Sequence, residues 1–426
     1  MLAKLLRSGA IYTAANVLAA GVPFVLLPVL TRALSPVEYG KVVSFFMLVS
    51  VSAALAGLSL HGAVGVRWLD TSRGNPRSFT GTAIVIVIAS TAFAACLSAL
   101  VGPAAGIELS PGVCALAAVL AGTSALQGMR FAVWQSMDQA VPAASLQVGA
   151  AVLNVCLSLS AVFLLAWGGM GRIVGAVAAG IVFAAFGVSS LVRNACATQP
   201  TRADASSLLR FGLPLMPHAL AGALLASLDR FAVSAHMGAG SLGVYGAASQ
   251  LGLVISVLAD AATKAFTPQM YRLLTRDTTR SRLCMVGITY LSVPAWLLVA
   301  IVLWAGFLLF GDVLLGERYR DATHLAIWFL LGGAFGGAYL NVAGLFFFTS
   351  KTEWISVATL SACAVAGALA PFAVSRHGLL GGAAAYCASQ AALLAAAWIL
   401  SMRVKPMPWG RPLLAIRVLS RRRGIA

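Results

Sequence analysis

Apolar residues run in long stretches along this chain, separated by short breaks that hold proline, glycine, asparagine or charge. A helix needs about 20 apolar residues to cross the hydrocarbon of a bilayer. On that ruler the pattern predicts twelve spanning helices, near 9–32, 38–62, 79–102, 111–134, 141–167, 171–192, 209–233, 241–265, 284–310, 323–348, 354–375 and 379–402. The breaks are ordinary helix punctuation: Ser35-Pro36, Gly74-Asn75-Pro76, Gly102-Pro103 and Gln199-Pro200 each start a helix or turn the chain.

The pattern also repeats. Leu6-Arg7-Ser8-Gly9 leads to Tyr39-Gly40 and then to Arg67; Leu209-Arg210-Phe211-Gly212 leads to Tyr245-Gly246 and then to Arg272. Six helices per half is an even number, so the second half enters the membrane in the same direction as the first. Two such halves are parallel repeats, which can rock about a site between them. The expected architecture is an all-α integral membrane protein of about twelve transmembrane helices in two six-helix lobes. The N-terminal lobe covers 1–193, a polar cytoplasmic linker 194–208, the C-terminal lobe 209–402 and a basic cytoplasmic tail 403–426.

Composition agrees with the pattern. The chain is 60% hydrophobic and only 10% charged, with a mean hydropathy of +0.92, whereas soluble domains carry about 25% charged residues. The first apolar run continues to about Leu30, beyond the roughly 7–15 residues of a signal-peptide core, so it reads as a spanning helix. The net charge of +17 raises nucleic acid as a partner, but no soluble basic-aromatic module appears. Excess lysine and arginine in a membrane protein marks cytoplasmic loops. Placing both termini in the cytoplasm puts 22 cations on the inner side and six, Arg172 among them, on the outer. Seven cysteines are scattered singly without a CxxC, which supports neither a metal site nor a disulfide framework. No cofactor or metal is expected. The tail alternates basic residues with Leu, Ile, Val and Trp409, a pattern suited to membrane lipids of the inner surface; a disordered tail is the alternative.

Ionisable groups inside spanning helices are expensive and therefore candidates for function. Asp229 and Arg230 fall in the seventh segment, about 100° apart on a helix, so they do not simply neutralise each other. Either one faces a cavity or the arginine anchors the segment at an interface. Asp260 and Lys264 in the eighth segment have the i, i+4 spacing of a local ion pair; if that pair opens, Asp260 becomes a coupling group. Gln127, Arg130 and Trp134 share one face of the fourth segment. A guanidinium fork suits phosphate oxygens, and an aromatic ring suits a sugar or isoprenoid. Arg67 and Arg272 occupy matching inner positions. The candidate headgroup-binding residues are therefore Arg67, Arg130, Arg230, Lys264 and Arg272. Gln127 and Trp134 are candidate substrate contacts, and Asp229 and Asp260 are candidate coupling groups to a proton or sodium gradient. For the inner cations the plainer reading is a helix end that obeys the positive-inside rule.

The opening, with Pro28, Thr31-Arg32, Leu34, Pro36 and Glu38-Tyr39-Gly40, resembles the start of Wzx-type polysaccharide flippases of the multidrug/oligosaccharidyl-lipid/polysaccharide exporter superfamily. Ser227 to Gly252, with Asp229-Arg230 and Val244-Tyr245-Gly246, resembles the matching second-half segment, and Asn341 to Trp354 a later helix turn. The resemblance implies a V-shaped transporter that moves undecaprenyl-pyrophosphate-linked oligosaccharide from the cytoplasmic to the periplasmic leaflet by alternating access. It implies a bacterial cytoplasmic (inner) membrane, with a polysaccharide polymerase and a chain-length regulator as partners. Three rivals stand beside it. A drug or metabolite antiporter of the same architecture would want an acidic cavity, which the sparse acids disfavour. A lipid II flippase usually has more than twelve helices. A membrane enzyme, such as a polymerase or ligase, would want a sizeable catalytic loop, whereas the outer loop near 311–322 is short and lacks histidine.

Overall fold

The computed structural model describes residues 2–420. The tail arginines Arg421, Arg422 and Arg423 lie outside the described residues. Thirteen helices appear among them: α1 (Leu2–Ala33), α2 (Pro36–Gly57), α3 (Leu60–Leu69), α4 (Pro76–Ala104), α5 (Pro111–Ser136), α6 (Ala140–Phe163), α7 (Gly168–Arg193), α8 (Arg202–Leu225), α9 (Leu228–Arg276), α10 (Thr279–Leu314), α11 (Asp321–Phe348), α12 (Glu353–Val404) and α13 (Pro412–Ser420). Eleven are long and apolar enough to cross a membrane. The longest, α12, breaks at Gly378 (φ 59°, ψ −139°) into arms 353–377 and 379–404, each of spanning length, which makes twelve segments. No strand occurs among the described residues.

Local chemistry explains the ends. Ser35 caps α2 in a reciprocal capping box with Glu38, with Pro36 in the first turn. The Glu38 carboxylate also takes the backbone N–H of Gly169, so one acid satisfies donors at the starts of both α2 and α7. Asn75 caps α4 ahead of Pro76, its Oδ1 accepting from the Arg77 N–H at 3.0 Å.

The chain divides into two compact units, the first of residues 1–227 and 237–243, the second of 228–236 and 244–426. The division comes after α8, not at the expected linker 194–208, and hydrogen bonding gives the reason. Thr198 N–H donates to the Arg77 carbonyl (3.1 Å) and Thr201 N–H to Thr82 Oγ1 (3.0 Å). Asp204 accepts from Ser78 (2.8 Å) and Thr201 (2.7 Å). The polar stretch is a seam sewn onto α4, and α8 follows it into the first unit. There Leu208 joins Leu60, Phe79, Met129, Val133 and Leu191 in one buried cluster.

Two predicted segments are interrupted inside the first unit. The second breaks at Leu58 and Ser59, both left-handed (φ 46° and 52°), and the Ala56 carbonyl freed near the break accepts from Ser90 Oγ at 2.7 Å. The seventh breaks at Ala226-Ser227, between α8 and α9. Backbone-to-backbone packing closes the unit elsewhere: a Cβ on Gly40 would fall on the Ala239 carbonyl, and one on Gly243 on the Pro36 carbonyl.

Helix α9 breaks at Gly238 (φ 74°, ψ 179°), a conformation only glycine adopts readily. The basic tail forms a docked strap. Met407, Trp409 and Ala415 are buried with Met270, Leu274, Leu283, Met285 and Leu345. Asp277 binds Arg282 through two 2.9 Å hydrogen bonds and Lys405 at 3.0 Å, and these cations hold its carboxyl down to about 2. A depressed carboxyl contributes stability that is present above its unfolded pKa and is lost as pH falls below that value through the folded pKa, so this pin stays closed at neutral pH.

Alanine at Gly40 or Gly243 is expected to lower the thermal midpoint of the detergent-solubilised protein, by overpacking that costs about 1–3 kcal/mol. Alanine at Gly222, which meets open space, is the control and leaves the midpoint unchanged or slightly higher.

Candidate functional site

Within the first unit, the candidate face of α5 turns toward α7. Gln127 Nε2 donates to the Gly180 carbonyl (3.2 Å). Arg130 is 2% exposed, and its guanidinium lies 4.0 Å over the Trp134 ring, a contact worth about 2 kcal/mol when desolvated. Gly187 of α7 leaves room for its stem. Nε and Nη1 of Arg130 nevertheless find no hydrogen-bond partner among the described residues. A buried guanidinium without a carboxylate partner is costly to hold in place. Arg67 is half-buried at the end of α3, stacked 4.0 Å from Phe79 and directed at Ser207 (3.4 Å).

Arg172, counted among the outer-side cations, is instead buried in α7. Its Nη1 donates to Asn154 Oδ1 (2.8 Å) and Ser158 Oγ (2.9 Å), with the Phe46 ring 4.8 Å away. This cation is solvated by neutral groups of α6. The spacing of Asn154 and Ser158, i and i+4 on one helix, was the available signal, but it gains meaning only once α7 lies beside it. An apolar pocket of about 330 Å³ also opens in this unit, lined by Ser145, Leu146, Val182, Phe183 and Phe186.

Within the second unit, Asp229 is buried and accepts from the Tyr245 hydroxyl at 2.7 Å, across the Gly238 break; its Oδ1 has no partner. The neighbouring Arg230 has its Nε buried and unpaired. Tyr245 is fully buried and leads an aromatic chain, 5.0 Å to Phe329 and 5.2 Å from Phe329 to Tyr386. Asp260 and Lys264 form their expected pair at 2.6 Å, each 58% exposed, and Arg272 is exposed further along α9. The structure therefore joins Gln127, Arg130 and Trp134 on one face, and Asp229 with Tyr245. Within the second unit, Lys264 and Arg272 lie apart from the Asp229 group. No cluster of three or more His, Cys, Asp or Glu able to hold a metal occurs among the described residues.

Residues 5–274 match the family model described as polysaccharide biosynthesis protein. The chain belongs to that family. The matched polysaccharide biosynthesis region contains every candidate named above, from Arg67 to Arg272. A Haemophilus influenzae protein named for the Lsg locus is 28% identical over 152 residues, 35% of this chain. The chain spans only 37% of that relative's length. Among solved structures, the fold is similar to the lipid II flippase MurJ in an inward closed conformation (TM-score 0.66, 15% identity, 97% of this chain and 91% of that one). It is also similar to an inward-facing multidrug-resistance MATE transporter of the MOP superfamily (TM-score 0.61, 15% identity, 92% and 94%). This family member thus has a MurJ- and MATE-like transporter fold.

Tyr245→Phe leaves both Asp229 oxygens without a partner and is expected to destabilise the protein by about 1–3 kcal/mol. Adding Asp229→Asn should recover part of that loss, giving a coupling energy in a double-mutant thermal-denaturation cycle. Additive losses would exclude the coupling.

Proposed function

We propose that this protein is a flippase for undecaprenyl-pyrophosphate-linked oligosaccharide units, moving them from the cytoplasmic to the periplasmic leaflet of a bacterial inner membrane by alternating access. The observation that carries the reading is the sign of the buried charge. Among the described residues the buried ionisable Arg, Lys, Asp and Glu side chains are Arg130, Arg172 and Asp229, two basic groups to one acid, and Arg130 keeps two unpaired donors. A buried cation without a counter-charge is costly, and an anionic headgroup that visits the site relieves that cost. A pyrophosphate offers such an anion. The membership in a polysaccharide biosynthesis family and the MurJ-like fold support the same substrate class.

Arg130 is the first choice for the headgroup ligand, with Arg67, Arg230, Lys264 and Arg272 as further cations along its route. Trp134 supports the guanidinium from below, and Gln127 holds α5 against α7. Coupling to a proton or sodium gradient is assigned to Asp229 before Asp260. Asp260 is already neutralised by Lys264, whereas Asp229 has one oxygen without a partner. Both termini are placed in the cytoplasm by the charge bias of the loops. A polymerase and a chain-length regulator would act on the delivered units. A cation-coupled drug antiporter is the second reading, favoured by the MATE-like fold and opposed by the excess of buried cations.

Deleting the gene is expected to strand lipid-linked repeat units on the cytoplasmic leaflet and to deplete surface polysaccharide. Unchanged lipid-linked sugar together with altered drug tolerance would replace the flippase by the antiporter. At normal expression, Arg130→Gln should lower transport by about 10- to 100-fold, the loss of a charge-assisted hydrogen bond of about 1.5–3 kcal/mol, with Arg130→Lys intermediate. Undiminished transport after Gln replaces Arg130, Arg230 and Lys264 together would reject the cationic route. Asp229→Asn should make the transport rate insensitive to the imposed ion gradient while Asp260→Asn leaves that sensitivity in place.

A further inference from the structure

Helices α6 and α7 form a hairpin that is zipped at one end and held open at the other. Near the turn that joins them, a Cβ on Gly171 or Gly175 would fall on the α6 backbone at Ala161 and Ser158, the close approach that small residues allow between spanning helices. Toward the free ends a side chain takes over, and the Phe183 ring lies over Gly149. There the hairpin holds the pocket of about 330 Å³ lined by Ser145, Leu146, Val182, Phe183 and Phe186. Its volume falls at the lower end of the roughly 300–1,000 Å³ of small-molecule sites. Val182 and Phe186, one helical turn apart, are each 51% exposed, so the pocket opens to the surface of the first unit.

The back of the pocket is shared with the candidate face of α5. Leu146 is buried in one cluster with Trp134 and Ala143, against which Tyr12, Phe131 and Phe183 pack, and the Trp134 ring carries the Arg130 guanidinium. Around this cluster, Nε and Nη1 of Arg130, the Tyr12 hydroxyl and Oε1 of Gln147 are buried without a hydrogen-bond partner among the described residues. Gln147, next to Leu146, spends its Nε2 on Asn16 Oδ1 (2.8 Å), and Asn16 shares one face of α1 with Tyr12 at helical spacing. Buried polar atoms are nearly always paired. Orphans gathered around one core call for a ligand that brings acceptors to Arg130 and Tyr12 and a donor to Gln147. Pocket and orphans also share a depth. Arg130 lies six residues before the end of α5, Leu146 six after the start of α6 and Phe186 seven before the end of α7, roughly 9–11 Å along each axis.

We infer that this pocket holds the first isoprene units of the transported lipid's polyprenyl chain, while its pyrophosphate accepts from Arg130 and the Tyr12 hydroxyl and a sugar hydroxyl donates to Gln147. The inference rests on the reading of Arg130 as the headgroup ligand. One chamber of this size takes one chain, as a polyprenyl lipid offers, whereas a diacyl lipid brings two. The orphan atoms are enclosed in this conformation, so binding has to loosen the packing around Trp134. Bilayer tails are as apolar as the pocket walls, so the chain gains little affinity by entering. The anion supplies the affinity, and the pocket fixes where the chain leaves the headgroup.

The test uses the full chain in nanodiscs of phosphatidylcholine and phosphatidylglycerol with undecaprenyl pyrophosphate added. The photoreactive residue p-benzoylphenylalanine replaces Phe186 or, as the control, Phe93, which is exposed on α4 outside the pocket. After illumination, mass spectrometry identifies the captured lipid. Position 186 should capture the polyprenyl chain in preference to phospholipid, and position 93 should capture lipids in proportion to their abundance. Val182→Trp, which fills the pocket from an exposed position, should remove the polyprenyl adduct at 186. Arg130→Gln should lower its yield about 10- to 100-fold at limiting ligand, the loss of a charge-assisted hydrogen bond. The same lipid mixture at positions 186 and 93 would overturn the inference and assign the pocket to ordinary bilayer lipid, even where Arg130→Gln still abolishes transport and the flippase reading stands. Capture at 186 that is indifferent to both Val182→Trp and Arg130→Gln would also overturn it. Selective polyprenyl capture by a protein whose deletion strands no lipid-linked units would keep the pocket and remove the flippase.

Discussion

Every polar group that enters the hydrocarbon must find its partner inside the protein, and the rest of this structure follows from that constraint. Unbroken helices meet it automatically, which is why long α-helices dominate the chain. The interruptions have to meet it residue by residue. The break at Leu58-Ser59 is accompanied by Ser90 donating to the Ala56 carbonyl. The starts of α2 and α7 share Glu38 as acceptor. Even the stretch between α7 and α8, polar enough to be a free linker, commits Thr198, Thr201 and Asp204 to α4.

The same constraint separates the charged groups by role. Arg172 is enclosed by Asn154, Ser158 and the Phe46 ring, an arrangement that satisfies a cation permanently and leaves little reason for an anion to bind. Arg130 rests on Trp134 but keeps two donors unpaired. Asp229 is half satisfied, one oxygen taken by Tyr245 and the other unpaired. Side chains held in part are the ones that a visiting charge can shift, because binding then adds interactions instead of exchanging equal ones. Burial alone would have ranked Arg172 and Arg130 together; the partners tell them apart.

Much of the fold was legible in the sequence because its determinants are local. Apolar run length gives the spans, and Ser35-Pro36 and Asn75-Pro76 give helix starts that the capping bonds reproduce. Run length alone divided 354–375 from 379–402, and the structure puts the bend between them at Gly378. What could not be read depends on neighbours distant in sequence. Nothing around Leu58 signals a left-handed pair, since two non-glycine residues adopt it in a setting that includes Gly212, which meets the Leu58 carbonyl. The allegiance of α8 to the first unit rests on Leu208 meeting Leu60 and Met129. Arg172 looked like a loop cation because the glycines around it resemble a turn; they instead bring α7 against the backbone of α6 at Ser158 and Ala161.

The repeat also acquires a sharper meaning. Tyr39-Gly40 and Tyr245-Gly246 stand at matching places, yet their tyrosines sit in different chemistry. Tyr39 follows a capping box whose acid, Glu38, is spent on helix starts. Tyr245 holds the Asp229 carboxylate across the Gly238 break. A duplicated scaffold supplies the same fold twice, and an acid added to one copy needs a local donor before hydrocarbon will accept it. The phenol provides that donor, and a bent helix brings it within 2.7 Å. Gly238 thus does more than end a helix: without its positive φ the two arms of α9 would run on straight. Asp229 and Tyr245, sixteen residues apart, would then stand about 24 Å apart along the axis, and the acid would have no donor from its own helix.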